Sequence, residues 1–132
     1  MPVAPADLAP VPLFASLSEE ELGAVACWFE PKSASAGVRL AGEGAPGYSF
    51  FVLAEGSAAV TANGNDVATL GPGDFFGEIA ILGDGRRTAT VTTTSAARLF
   101  VMFGAEFRRL QQAHPDIAGR LEAAMAERRP PG

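Results

Sequence analysis

Phe75-Phe76-Gly77-Glu78-Ile79-Ala80-Ile81-Leu82 is followed, across Gly83-Asp84-Gly85, by Arg86-Arg87-Thr88-Ala89-Thr90-Val91. Residues 77–82 alternate too little for a strand, and one short helical turn suits them better. The first N–H groups of such a turn have no partner within it and are free to face an anion. Gly77 lets a ligand approach the backbone closely. Arg87 adds a planar fork able to take two phosphate oxygens at once. Glu78 would repel an anion, so its carboxylate suits a hydroxyl donor such as a ribose. Together these groups fit a nucleotide whose sugar and phosphate lie side by side.

On both sides of this stretch the chain reads as short strands. Residues 48–53, 58–62, 66–70, 88–94 and 97–103 are rich in Val, Phe, Thr and Leu and are separated by glycine-containing turns. Asn63-Gly64 signals a hairpin, and Gly71-Pro72-Gly73-Asp74 a second turn. This spacing predicts a mainly β fold, an antiparallel β-roll of the double-stranded β-helix or jelly-roll kind. Helices flank it. Ser18 reads as an N-cap, Glu21 closes the capping box and Leu17 staples onto Leu22, which predicts a helix to about Phe29, stopping before Pro31. At the other end, Phe107 and Leu110 mark a short amphipathic helix. Pro115 then starts a last one, with Ile117, Leu121, Ala124, Met125 and Arg128 on one face. Residues 1–12 carry four prolines and read as an extended tail. The domain spans 13–129, and 130–132 form a second tail.

Composition narrows the function. At 132 residues the chain makes one domain that can bury roughly two-thirds of its surface. Its net charge of −5 argues against generic binding to nucleic acid or to an anionic membrane, so any anion site is built from placed groups. The single Cys27 forms no internal disulfide and, beside Trp28 and Phe29, reads as a buried structural thiol. No segment approaches a membrane span and residues 1–12 lack a secretory signal, so a cytoplasmic protein is expected. One histidine is too few for a cupin-type metal site, and no nucleophile signature is present, so neither catalytic nor metal-ligating residues are assigned.

The stretch 76–91 resembles the phosphate-binding cassette of cyclic-nucleotide-binding domains, the family of the catabolite activator protein, protein kinase A regulatory subunits and cyclic-nucleotide-regulated channels. Leu13-Phe14, Gly42-Glu43-Gly44, Phe50-Phe51-Val52, Glu55-Gly56, Leu70-Gly71-Pro72-Gly73-Asp74 and His114-Pro115 match the family's pattern in order. The resemblance implies that Arg87 holds the cyclic phosphate, flanked by the backbone amides of Ile79 and Ala80. It implies that Glu78 and the Gly77 backbone take the ribose 2′-hydroxyl, and that Thr88 reaches the phosphate or a syn guanine. Val60 and Ala68 would line the base pocket with Ala89, and Met125 and Arg128 would belong to the lid.

Two functions follow from the resemblance. One is a non-enzymatic sensor of cAMP or cGMP in which the C-terminal helices shift over the ligand. The other is an interaction module of the same fold that has lost the nucleotide. The family's effector segments have no counterpart here, so the output is expected through a separate protein or a missing fused domain, with no direct DNA binding. The last helix is short for a dimer, so a monomer is expected. Nine of the ten basic residues are Arg, amid abundant Ala and Gly, which hints at a GC-rich bacterial genome and favours cAMP.

Overall fold

The computed structural model describes residues 3–41, 49–77 and 89–127. In chain order these form α1 (Pro5–Leu8), a 3-10 turn (Pro12–Phe14), α2 (Glu19–Ala26), β1 (Glu30–Ala34), β2 (Arg39–Ala41), β3 (Ser49–Glu55), β4 (Ala58–Ala62) and β5 (Asn65–Leu70). There follow β6 (Phe75–Phe76), β7 (Thr90–Thr93), β8 (Ala97–Phe103), α3 (Gly104–Ala113) and α4 (Pro115–Glu127). The described strands make two four-stranded antiparallel sheets, ordered β1-β8-β3-β6 and β2-β7-β4-β5. The expected β-roll with flanking helices is the fold observed.

Local chemistry explains most of the element boundaries. The Ser18 hydroxyl accepts from the Glu21 amide at 3.2 Å while Glu21 Oε1 accepts from the Ser18 amide at 2.9 Å, closing the box at the start of α2. This helix stops at Ala26, short of the expected Phe29. Trp28 N–H bonds the Val25 carbonyl and Phe29 N–H the Ala26 carbonyl, tightening the chain into a turn that releases Glu30 to pair with Val101. Pro31 is accommodated because β1 lies at a sheet edge, where a missing donor is harmless. Across Asn63-Gly64, Ala62 pairs with Asn65, as the hairpin signal required. In the second turn the Asp74 amide donates to the Gly71 carbonyl at 3.1 Å and its carboxylate accepts from the Gly71 amide at 2.8 Å.

The inner strands β3 and β8 of the first sheet are buried on both faces, and that divides the core in two. Phe50, Val52, Phe75, Phe100 and Met102 point to the helices and join Leu8, Phe14, Leu22, Phe107, Leu121 and Met125. Their neighbours Phe51, Leu53, Phe76, Leu99 and Val101 point into the roll and meet Val60, Leu70 and Val91 from the second sheet and Ala89 just before it. A strand covered on both sides is apolar throughout, which is why 50–53 and 99–102 show no alternation. Phe51 and Phe76 are paired in register and stack at 4.7 Å, while Phe14, Phe29, Phe50 and Phe75 form a chain of ring contacts 5.6–6.3 Å apart in the helical layer.

Two expectations are corrected. Residues 3–12 are not an extended tail: Val3, Leu8 and Val11 are buried in the helical layer, Pro5 opens α1, and the Asp7 carboxylate accepts from the Ala4 amide at 2.9 Å. The apolar residues between the prolines repay ordering the segment, whereas proline content alone reads as loop. Cys27 is exposed, not buried. It sits just past the end of α2, where Ala26 and Phe29 take the inward positions, and its thiol donates to the Ala24 carbonyl at 3.2 Å.

Candidate functional site

Gly77 follows β6 of the first sheet, and Ala89 precedes β7 of the second, so the eleven residues 78–88 connect one sheet to the other. Both ends of this connection are buried. Phe76 lies inside the roll against Phe51, and Ala89 lies inside it beside Val91. Gly77 is buried at φ +78°, a left-handed conformation that an L side chain adopts only at a cost of about 1–2 kcal/mol. Glycine at this position therefore has a backbone reason as well as the open approach expected of it.

The proposed base-pocket residues meet in one place. Val60 on β4 stands opposite both Ala68 on β5 and Val91 on β7, and all three join Ala89 in the interior cluster. These side chains are apolar and small. Met125 is elsewhere. It is buried in the helical layer, across the first sheet from Val60, Ala68 and Ala89, because the apolar stripe of α4 (Ile117, Ala118, Leu121 and Met125) packs there. Glu78, Ile79, Ala80, Arg87, Thr88 and Arg128 lie outside the described residues.

Sequence reasoning passed over Arg120, whose guanidinium ties α4 to two earlier segments of the chain. Its Nη2 donates to Glu21 Oε2 and, at 3.0 Å, to Asp116 Oδ2. Its Nη1 donates to the Ser16 carbonyl at 3.1 Å and, at 3.4 Å, to Glu21 Oε1. Only the Asp116 contact, four residues away on the same helix, carried a local signal. The hydrogen-bonded Arg120 guanidinium, helped by the Ser18 amide, pulls the Glu21 carboxyl from an ordinary 4.5 down to about 2. A depressed carboxyl stabilises the fold fully above its unfolded pKa and loses that contribution as pH falls toward the folded one. Stability to urea should therefore decline between about pH 4.5 and pH 2, and Glu21→Gln should flatten that decline. An unchanged pH profile in the variant would show that other carboxylates dominate.

Residues 31–114 match the family model described as cyclic nucleotide-binding domain. A cyclic nucleotide-gated potassium channel of Mesorhizobium japonicum is 35% identical over 122 residues, which cover 92% of this chain and 34% of the channel. A cAMP-dependent protein kinase regulatory subunit of Neurospora crassa is 35% identical over 119 residues, covering 89% of this chain and 31% of the subunit. The solved catabolite activator protein of Thermus thermophilus superposes with a TM-score of 0.79 at 28% identity, over 89% of this chain and 57% of that one. The chain thus spans about a third of the length of the curated relatives it matches. No described helix is long and apolar enough to cross a membrane. With the roll, the buried ends of the 78–88 connection and these matches in agreement, the chain belongs to the cyclic nucleotide-binding domain family.

Proposed function

We propose that this domain is a non-enzymatic sensor that binds cAMP in preference to cGMP. The observation that carries the reading is the meeting of Val60, Ala68 and Ala89 inside the roll, next to the point where the Glu78–Arg87 segment joins it. An apolar wall, with a glutamate and an arginine in the sequence that joins it, suits a purine, a ribose and a cyclic phosphate. The similarity to a cAMP-dependent kinase regulatory subunit supports cAMP. Arg87 pairs with the phosphate alongside the Ile79 and Ala80 amides, Glu78 and the Gly77 backbone accept the ribose hydroxyl, and Thr88 adds a hydroxyl donor. Binding draws α4 and the residues after it, Arg128 among them, toward the ligand.

The output is a change in the surface that α4 presents to an effector protein, held in trans or fused in the same polypeptide. The domain acts as a cytoplasmic monomer with no direct contact to DNA. Titration calorimetry with cAMP and cGMP tests the reading. Heat with both nucleotides and the lower Kd for cAMP is the expected result. No heat at near-millimolar concentration of either would leave an interaction module that has lost the ligand.

A further inference from the structure

We propose that the cleft between α2 and the α3–α4 junction docks an arginine-bearing segment of a partner protein, a role separate from nucleotide binding. Helix α3 ends at Ala113 and α4 restarts at Pro115, with His114 between them outside the helical range at φ −140° and ψ 70°. At this break a cleft of about 410 Å³ lies against α2, within the size range of sites that hold a small ligand or a few side chains. Ala24 from α2 and Ala113, Pro115 and Ile117 from the junction give it apolar walls. Ala24 packs against the helical layer and Ile117 is buried in it, so the walls are fixed parts of the core. With alanine at 24 and 113, neither helix fills the space with its own side chains.

The rim decides the charge of the occupant. Glu20, Glu21 and Asp116 stand at the same cleft. The Arg120 guanidinium pairs with both Glu21 and Asp116, so the rim carboxylates share a single positive charge and the balance is negative. Glu20 is exposed and has no ion-pair partner among the described residues. About half a charge from each of the α2 and α4 N-termini offsets only part of this surplus. The C-terminus of α3, with no basic residue in its last turn, adds to it. Among the described residues no group of three acidic, histidine or cysteine side chains is placed to hold a metal ion, so the charge is spread along the rim. An occupant that suits such a cleft is apolar along its stem and positive at its tip. Arginine meets both conditions, its methylenes lying on Ala24 and Ile117 and its planar fork reaching Glu20.

Fluorescence anisotropy of a labelled Leu-Arg-Arg-Leu peptide against the 132-residue chain tests the assignment, with Leu-Gln-Gln-Leu as the control. The expected result is saturable binding of the arginine peptide below about 1 mM and none of the glutamine peptide. Glu20→Lys should weaken binding about fivefold, since an exposed pair is lost and a repulsion takes its place. Glu20 takes no part in the capping box of α2, so this variant keeps the fold. Ala24→Leu fills the cleft from its wall and should weaken binding at least as much. An arginine peptide that does not bind overturns the proposal, as does one that binds folded Glu20→Lys as tightly as wild type. If Ala24→Leu does not fold, Glu20→Lys decides alone. A wild-type chain that sediments as a dimer, and as a monomer once Glu20 is reversed, would give the cleft to a second copy and overturn the partner reading. The titration contains no nucleotide, so its outcome stands apart from whether cAMP binds.

Discussion

Arg87→Glu is expected to weaken cAMP binding by at least about a hundredfold while leaving the melting temperature of the ligand-free protein nearly unchanged. Two charge-assisted hydrogen bonds from one guanidinium contribute about 1.5 kcal/mol or more each, and about 3 kcal/mol is a little over a hundredfold in Kd. Charge reversal adds repulsion in a domain whose net charge is already −5, so no surrounding positive field substitutes for the lost group. Calorimetry on the variant and a thermal melt of its free form check both halves. A variant that unfolds without ligand would assign Arg87 to the fold instead of the nucleotide. A folded variant that binds as well as wild type would remove the phosphate contact from Arg87 altogether.

Gly56→Ala should be nearly as severe, through the fold. Gly56 joins β3 to β4 at φ +92°, and a Cβ built there would stand 2.4 Å from the Ala96 carbonyl oxygen and 2.9 Å from Ala97 Cα. Both are backbone atoms at the start of β8 and cannot swing aside. The same corner is tied by the Ser57 amide to Ser95 Oγ at 3.0 Å and by the Ser57 and Thr94 hydroxyls at 2.7 Å. Left-handed strain alone costs about 1–2 kcal/mol, and displacing strand backbone should bring the total to about 3 kcal/mol or more. Urea unfolding measures it, and a loss under about 1 kcal/mol would mean the corner opens easily. Val60 lies on β4, the strand that this corner launches, so cAMP affinity should fall as well.

These two residues mark how differently the site and the fold were legible. Arg87 stood out because phosphate recognition restricts residue type, and a guanidinium at a fixed distance from Gly-Glu is visible in one dimension. Gly56 was noticed only as part of a resemblance, and the approach of the Ala96 carbonyl supplies its reason. The Phe75-Phe76 strand was passed over because two residues are too few for any period to register. Met125 fell correctly on the apolar stripe of its helix, but periodicity states that a stripe is covered and not by what. The cover is the helical layer, and Met125 lies in its core.

Sequence alone determined whatever rests on neighbours in the chain. The Ser18–Glu21 capping box, the Asn63-Gly64 hairpin, the Gly71–Asp74 turn and the proline start of α4 are satisfied within a few residues, and their chemistry has few alternatives. Tertiary structure decided whatever depends on partners brought from afar. A strand buried on both faces carries no alternation, so only the assembled sheets send Phe50 to the helices and Phe51 into the roll. Burial of Val3, Leu8 and Val11, exposure of Cys27 and the ion pair between Arg120 and Glu21, ninety-nine residues apart, have the same origin. Each is settled by which surface arrives to cover a side chain or to share its charge, and local sequence holds no record of that arrival.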